Sequence, residues 1–394
     1  MNRSLVVVLA AAGIAASSNA EVGLIVRLAP GGSPTAIATK YGIPLVDTTP
    51  GAPFAYYLVP DGKAGDKIQL RVSHDKTVVW ADDDARLSAP EGQKGSTLPA
   101  VGDRFALYQQ NTGMLAQINW NQTLAFTAGR TVRIAVLDTG LSPNQPDLWS
   151  KVDASTNEIE PGSPAYDIPQ GHDSNSDGLV DNMTGHGTMV AGILDQISPL
   201  SRLVVARVAD SDGIATGWNV IKGLAFAVVS EAEVANISLG TLDRVPALTD
   251  VMDWCEDEGL LVVASIGNNG IKAATFPARI SKVVCVAGLL PDDSKAPFSN
   301  WEGTADACAP ATGIASQSWE GTMGVWSGTS FAAPMAAAIA ADALRHSTGR
   351  MDPDVLRDAF KSLGTNVDSL NSRYRQQLGL KLNHQEFVEG VLAG

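Results

Sequence analysis

The stretch from Ser327 to Ala336, S-G-T-S-F-A-A-P-M-A, combines a flexible turn, a hydroxyl group and the start of a small-residue helix. Gly328 permits a sharp backbone turn that a Cβ would resist. The alanine-rich run Ala332 to Ala343 predicts a closely packed helix, and Pro334 falls in its first turn, where a missing N–H costs little. Ser330 is therefore expected at the positive end of a helix dipole, which stabilises developing negative charge. This position suits a catalytic nucleophile.

A serine hydroxyl becomes nucleophilic at neutral pH only when a base takes its proton and a third group holds that base. Two earlier segments offer these groups. The segment Ile134 to Gly140, I-A-V-L-D-T-G, is a buried-strand run that ends in the carboxylate of Asp138. The segment Gly185 to Gly192, G-H-G-T-M-V-A-G, carries His186 at the start of an apolar helix. The order along the chain is therefore Asp, His, Ser.

These three motifs, in this order, resemble those of the subtilase family of serine proteases. A lone D-T-G also marks aspartic proteases, but they need a second such loop, and no other D-T-G or D-S-G occurs here. The resemblance implies hydrolysis of peptide bonds through an acyl-enzyme. His186 would take the proton of Ser330 while Asp138 steadies the imidazolium.

An oxyanion donor is also implied by the resemblance. The segment Val262 to Gly270, V-V-A-S-I-G-N-N-G, is similar to the subtilase segment that supplies this donor. Asn268 would then donate its side-chain N–H together with the backbone N–H of Ser330. The alternative is an Asn-Asn-Gly turn that carries no chemistry.

The resemblance further implies a cleft that binds substrate as an added strand. Ser238, Leu239 and Gly240 would form one edge of this cleft, and residues 213–217 would form the other. Thr275, in A-T-F-P, stands where the family usually has a glycine at the floor of the first pocket. We therefore expect a shallow pocket that favours small to medium apolar residues before the scissile bond.

The fold expected after Asp138 is α/β, with a doubly wound, mostly parallel, subtilisin-like sheet. Short continuous apolar runs alternate with segments of helical spacing, and the active site of such a sheet lies at the carboxyl ends of its strands. The predicted strands are Leu203 to Val208, Ala235 to Ser238, Leu260 to Ser265 and Val283 to Ala287, and the predicted helices between them are Trp218 to Val229 and Leu248 to Glu258.

The domain organisation follows from composition along the chain. Residues 1–20 have an apolar run and a Ser-Asn-Ala cleavage signal, which indicates a signal peptide and a secreted protein, extracellular or periplasmic. Residues 21–95 form a small α+β domain with three predicted strands. Residues 96–114, rich in Gly and Pro, are expected to be a linker with the processing site. The catalytic domain would then occupy residues 115–394.

The small N-terminal domain resembles the inhibitory propeptide of subtilases. Its last predicted strand runs into acidic residues, Val78-Val79-Trp80-Ala81-Asp82-Asp83-Asp84. The resemblance implies a self-processing zymogen whose propeptide is its own intramolecular inhibitor. An unrelated N-terminal module is the alternative.

A calcium site is predicted just before His186, in D-S-N-S-D-G-L-V-D-N. Oxygen ligands at alternate positions with a glycine at the sixth are typical of calcium loops. The predicted ligands are Asp173, Asn175, Asp177, the Leu179 carbonyl and Asp181. A solvated Asp/Gly loop is the alternative, and the proposed chemistry itself requires no cofactor.

Charge and cysteine content narrow the range of partners. The chain has 394 residues and a net charge of −14, which makes nucleic acid an unfavourable partner. We expect a monomer that acts on polypeptide substrates, with no membrane attachment after signal removal. Cys285 lies in an apolar run, whereas the sequence leaves open whether Cys255 and Cys308 pair. Two other functions remain open, a non-catalytic scaffold and a peptide ligase that uses the same acyl-enzyme.

Overall fold

The computed structural model describes residues 20–89 and 104–394. The N-terminal part contains, in chain order, β1 (Glu21–Leu28), α1 (Pro34–Tyr41), β2 (Leu45–Thr48), β3 (Phe54–Pro60), α2 (Lys63–Ser73), β4 (Val78–Asp83) and β5 (Arg86–Ser88). The predicted signal peptide lies, apart from Ala20, outside the described residues. Among the residues that are described, no helix is long and apolar enough to cross a membrane.

The larger part of the chain alternates strands and helices. Its elements are α3 (Arg104–Gln110), α4 (Thr112–Gln117), α5 (Gln122–Phe126), β6 (Arg133–Asp138), α6 (Pro146–Trp149), β7 (Val152–Asn157), α7 (His186–Ile197), β8 (Arg202–Arg207), β9 (Ile214–Thr216), α8 (Gly217–Val229), β10 (Val234–Ile237), α9 (Pro246–Asp257), β11 (Leu261–Ser265), β12 (Val283–Leu289), β13 (Ala307–Pro310), β14 (Ile314–Gln317), β15 (Met323–Trp326), α10 (Ala333–His346), α11 (Pro353–Ser362), β16 (Leu380–Lys381) and α12 (His384–Ala393). Single 3₁₀ turns span Thr329–Phe331 and Ser372–Tyr374.

Eight strands form one sheet in the order β16-β13-β12-β11-β10-β6-β8-β7. Each pairing between these neighbours is parallel. Every residue of β10, β11 and β12 is buried, which requires cover on both faces of the sheet. Helices α7 and α10 pack against each other and α8 packs against α9, while β6 contacts both α7 and α8. The doubly wound α/β prediction is confirmed.

The small N-terminal domain is a four-stranded antiparallel sheet, ordered β2-β3-β1-β4, with helices α1 and α2. Residues alternate between the two faces of each strand. Val26 and Tyr57 belong to the domain's own core. Phe54 and Tyr56 face the large domain, where Phe54 meets the Trp254 ring edge-on at 5.2 Å between centroids. The two domains therefore share a continuous apolar interface.

The predicted linker, residues 96–114, differs from the structure over its second half. Residues 96–103 lie outside the described residues, but α3 and the start of α4 fall within the predicted linker. The Tyr108 hydroxyl donates to the Gln196 carbonyl at 2.9 Å, and Asn111 Nδ2 donates to the Ala315 carbonyl at 2.7 Å. These helices are held by contacts more than 80 residues away in sequence, which local composition does not reveal.

All three cysteines are free and buried. Cys285 lies on β12 and Cys308 on β13, as neighbouring strands of the sheet. Burial raises the pKa of each thiol above its ordinary value. The cysteines therefore act as small apolar core residues in this structure.

Candidate active site

Asp138 and His186 lie side by side at the carboxyl end of the parallel sheet. Asp138 ends β6 and His186 begins α7, and both are fully buried. The distance from His186 Nδ1 to Asp138 Oδ1 is 2.7 Å. Because a carboxylate only accepts, Nδ1–H is the donor, which makes Nε2 the basic nitrogen of the neutral ring. The same Asp138 oxygen accepts the Thr139 N–H at 2.8 Å.

Glycines next to these two residues make their close approach possible. A Cβ on Gly187 would lie 2.4 Å from the Gly140 carbonyl oxygen and 3.1 Å from Asp138 Cβ. Gly185 has a φ of 95°, in the left-handed region that favours glycine. The G-H-G sequence around His186 is thus required by the packing of α7 onto the loop that follows β6.

Ser330 lies in the 3₁₀ turn immediately before α10, and Pro334 lies in the first turn of that helix. The serine is fully buried. Its Oγ donates to the Ser238 carbonyl at 3.2 Å, and Ser238 Oγ donates to the Ser330 carbonyl at 2.8 Å. Gly328 has φ 161° and ψ 158°, which is extended backbone. The predicted sharp turn is therefore not at Gly328 but in the 3₁₀ turn that follows it.

Two aromatic side chains, Phe331 and Trp326, lie against the ring of His186. The His186 ring centroid lies 5.5 Å from that of Phe331 and 6.1 Å from that of Trp326. Phe331 is fully buried and follows Ser330 directly. Apolar surroundings lower the local dielectric, so the Asp138 charge acts on the imidazole more strongly than it would in water.

Asn268 lies in the loop that follows β11, next to the turn that carries Ser330. Its Oδ1 accepts the Thr329 backbone N–H at 2.9 Å and the Thr329 hydroxyl at 2.8 Å. Since the oxygen of the amide is fixed by two donors, the Nδ2 group is turned to the opposite side. The side chain of Asn268 is therefore held by the turn that carries Ser330.

Asn300 anchors the loop that carries Asn268. It is fully buried, and its Oδ1 accepts the backbone N–H groups of Asn269 and Ile271 at 2.9 and 3.2 Å. Its own N–H donates to the Gly267 carbonyl at 2.9 Å. Sequence reasoning missed Asn300, because it lies in an irregular segment without a motif, 29 to 31 residues from the backbone groups that it binds.

The two predicted cleft edges both pair with β5, the segment that leads out of the N-terminal domain. β5 and β9 pair antiparallel, with Leu87 opposite Ala215. On the other side, the Ser88 N–H donates to the Gly240 carbonyl at 3.0 Å and the Gly240 N–H donates to the Ser88 carbonyl at 2.8 Å. Residues Ser238–Gly240 and 213–217 thus flank an added strand that comes from the same chain.

The remaining cleft residues lie behind this strand. Leu239 is buried. The Thr275 hydroxyl donates to the Ser265 and Ile266 carbonyls at 3.3 Å. A Cβ on Gly240 would lie 2.5 Å from Thr275 Oγ1, and one on Gly267 would lie 2.7 Å from Thr275 Cγ2. The threonine therefore fills the space beneath both glycines.

The predicted calcium ligands are only partly brought together. Asp173 and Asn175 both accept the Asp177 N–H, at 3.1 and 2.9 Å, so these three residues enclose one loop. The Leu179 N–H donates to Asp177 at 2.8 Å. Asp181 is turned elsewhere, because its carboxylate accepts the N–H groups of residues 170, 171 and 172 and the Ser211 hydroxyl. Within the described ranges, no group of three or more His, Cys, Asp or Glu residues is arranged to hold a metal ion.

Fold and chemistry together define the class, an α/β hydrolytic enzyme with a buried Asp–His pair beside a serine at a helix start. A profile described as "Subtilase family" matches residues 129–376. This match covers more than half of the chain. The chain therefore belongs to the subtilase family, and it is a serine peptidase.

Sequence similarity to known proteins supports the same family. Thermitase from Thermoactinomyces vulgaris is 32% identical over 215 residues, which cover 54% of this chain and 74% of thermitase. Subtilisin BL from Lederbergia lenta is 30% identical over 252 residues, which cover 62% of this chain and 87% of that protein. The prediction of a subtilisin-like serine protease is confirmed.

Two solved structures support the fold. A cold adapted subtilisin-like serine proteinase superposes with a TM-score of 0.56 at 26% identity, covering 64% of this chain and 88% of its own. A lanthipeptide protease superposes with a TM-score of 0.61 at 21% identity, covering 72% of this chain and 95% of its own. At that identity, the second likeness concerns the fold alone.

Proposed function

We propose that the protein is a secreted serine endopeptidase, made as a self-processing zymogen, in which Asp138, His186 and Ser330 form the catalytic triad. The observation that carries this proposal is the buried contact of 2.7 Å between His186 Nδ1 and Asp138 Oδ1, next to the helix start that holds Ser330. Such a pair fixes the imidazole tautomer so that Nε2 can take a serine proton.

The proposed reaction is acyl transfer to water. As Ser330 Oγ attacks the peptide carbonyl, His186 Nε2 takes the hydroxyl proton and later gives it to the leaving amine. The oxyanion receives hydrogen bonds from Asn268 Nδ2 and from the Ser330 backbone N–H. His186 Nε2 then takes a proton from a water that attacks the acyl-enzyme, and it returns this proton to Ser330 Oγ as the ester bond breaks.

Polypeptide substrates would bind as an added strand between the two cleft edges. The pairing of Ser88 with Gly240 supports this binding mode, because Gly240 offers one N–H and one carbonyl to an extended strand. The position of Thr275 beneath Gly240 and Gly267 supports a shallow first pocket. Cleavage of otherwise identical peptides is expected to be faster after Ala or Leu than after Phe, and equal rates would refute the assignment of the pocket.

The N-terminal domain is proposed to be an inhibitory propeptide. The strand β5 lies where a substrate strand would lie, which supports inhibition by occupation of the cleft. Two carboxylates before β5 add contacts to the large domain. Asp84 accepts the Trp218 N–H at 3.0 Å, and Asp82 accepts the Ala247 N–H at 3.0 Å. These carboxylates meet the N-terminal turns of α8 and α9, where negative charge is favoured. Processing is proposed to follow within the segment after Ala89.

Secretion and calcium binding complete the proposal. Residues 1–20 would direct export, and a mature protein outside the cytoplasm that lacks them would verify this. Calcium would be held by Asp173, Asn175 and Asp177 with the Leu179 carbonyl, and Asp181 would have to leave its present hydrogen bonds to join them. The loop is close to α7 in sequence, so calcium would contribute rigidity, not chemistry. A monomer without nucleic-acid or membrane partners is proposed.

The test of catalysis compares Ser330→Ala with Ser327→Ala. Ser327 is exposed, and its Oγ accepts the Gly313 N–H at 3.0 Å, so its loss removes a nearby hydroxyl outside the triad. We expect hydrolysis of an unstructured protein to vanish in the first variant and to persist in the second. Hydrolysis that persists in both variants would indicate another nucleophile, and a wild type without hydrolysis would favour a scaffold function. Formation of longer peptides from added amines would favour ligation.

A further inference from the structure

The helix that carries His186 lacks a capping side chain of its own. The residue before α7 is Gly185, which has no side chain to accept the first N–H groups of the helix. Unpaired N–H groups at a buried helix start are costly. The cap comes instead from Asp167, a fully buried carboxylate 18 residues upstream.

Asp167 accepts three hydrogen bonds from the first turn of α7. Its Oδ1 accepts the Gly185 N–H at 2.8 Å. Its Oδ2 accepts the Thr188 hydroxyl at 2.7 Å and the Thr188 N–H at 3.2 Å. His186 lies between these two anchored residues, so the backbone on both sides of the histidine is fixed by one side chain.

The same segment is also fastened to the loop that follows Asp138. The Leu141 N–H donates to the Ala165 carbonyl at 3.0 Å, and the Asp167 N–H donates to the Leu141 carbonyl at 3.2 Å. Thr188 Oγ1 additionally accepts the Ser142 N–H at 2.9 Å. The loop after Asp138 and the helix of His186 are thus joined through Asp167 and Thr188.

We propose that Asp167 is a positioning residue of the catalytic site, which holds His186 in register with Asp138 by capping α7 from a distance. As a positioning residue, Asp167 acts through the backbone of α7 and does not touch the reacting atoms. The inference rests on the proposed role of His186 as the general base. A small displacement of a catalytic group is sufficient to reduce turnover by about a hundredfold.

The charges around Asp167 come from three elements. Burial raises the pKa of Asp167, and repulsion by Asp138 at the end of β6 raises it further. Arg207 on β8 is the nearby cation; it is buried, and its Nη1 donates to the Tyr166 carbonyl at 2.6 Å. His186 on α7 is the third group. Removal of the Asp167 charge therefore disfavours the imidazolium form of His186.

The test measures kcat, KM and the pH dependence of kcat/KM for Asp167→Asn. The asparagine amide has about the same volume as the carboxylate. Only one of its two terminal atoms can accept, however, so at least one hydrogen bond from Gly185 or Thr188 is lost. Chains that do not mature alone would be processed with a trace of tagged wild-type enzyme, which is then removed. We expect kcat to fall about 10- to 100-fold with KM within about twofold, and the acid limb of kcat/KM to move to lower pH.

Two further comparisons separate positioning from stability. Thr188→Val, which removes the hydroxyl, should lower kcat about tenfold, whereas Thr188→Ser should keep at least half of it. Asp195→Asn is the matched control, because Asp195 is a buried carboxylate of the same helix, paired with Lys151 Nζ at 2.8 Å. It should lower the melting temperature and leave kcat and the pH profile of the folded enzyme unchanged.

The outcomes are distinguishable from failure of the proposed function. If His186→Ala and Ser330→Ala remain active, the triad itself is wrong. If those variants are inactive while folded Asp167→Asn shows wild-type kcat and pH profile, only the positioning role is wrong. Equal losses of kcat in Asp167→Asn and Asp195→Asn would also overturn it, because they would indicate a general effect of destabilising α7.

Discussion

Ser88 and Gly240 exchange two backbone hydrogen bonds, of 3.0 and 2.8 Å, between the N-terminal domain and the peptidase domain. Ser88 belongs to the segment that leaves the N-terminal domain, and Gly240 follows β10. A third bond, from the Ala89 N–H to the Gly213 carbonyl at 2.9 Å, holds the opposite edge. If these two segments are the edges of the substrate cleft, as proposed, the chain fills that cleft with its own main-chain groups.

Leu87 is the apolar anchor of this added strand. It is buried in the large core, whereas its neighbour Arg86 is exposed. Leu87→Ala should weaken inhibition by the N-terminal domain by about 2 kcal/mol, or about 30-fold. The inhibition constant of the processed N-terminal segment measures this, with Arg86→Ala as the control. If the Leu87→Ala segment inhibits as strongly as the wild-type segment, the Leu87 side chain does not anchor binding.

The inhibition should depend on pH through Asp84. Burial between the domains raises the pKa of this carboxyl from 3.8 to about 6. The associated form therefore takes up a proton as pH falls through 6, and proton uptake on association favours that form at lower pH. The pKa of Asp82 is raised in the same direction, mainly by burial.

We accordingly expect the inhibition constant to decrease from pH 7 to pH 5, by about tenfold per pH unit at most. In Asp84→Asn this dependence should become flatter, because the buried group no longer titrates. Inhibition that weakens on acidification, in wild type and variant alike, would show that other groups control release.

Substitution of Asn268 tests its proposed role as an oxyanion donor. Asn268→Ala removes the proposed oxyanion donor and should lower kcat about 100- to 1,000-fold with little change in KM. Asn269→Ala, at the exposed neighbouring position, is the control and should keep most of the activity. If the two variants behave alike, the amide that is fixed by Thr329 does not serve the transition state.

Two aspartates of the proposed calcium loop should respond differently to substitution. Asp177→Asn should abolish the increase in melting temperature that calcium causes in the wild type, because a ligand that binds the folded state stabilises it. Asp181→Asn should lower the melting temperature with and without calcium, since Asp181 accepts hydrogen bonds from three backbone N–H groups and Ser211.

Scanning calorimetry in calcium and in a chelator measures both effects. A wild-type melting temperature that is the same in the two buffers would reject the site. A calcium effect that is lost in Asp181→Asn but kept in Asp177→Asn would relocate it.

The sequence predicted the active-site residues that lie in short motifs. The glycines around Asp138 and His186 are dictated by backbone approach, so the motifs identified the residues that the fold brings together. Asp167 and Asn300 left no such signal, because each acts through hydrogen bonds to a distant loop from an irregular segment. The helix α3 was missed for the same reason, since its position depends on tertiary contacts that composition does not report.

The central claim is that Ser330 cleaves the chain that carries it. The most direct measurement is the intact mass of residues 21–394 over time, for wild type, Ser330→Ala and Ser327→Ala, in the absence of other proteases. We expect wild type and Ser327→Ala to lose an N-terminal fragment whose last residue lies beyond Ala89 and to gain proteolytic activity, while Ser330→Ala keeps its full mass. Processing of Ser330→Ala at the wild-type rate would contradict it.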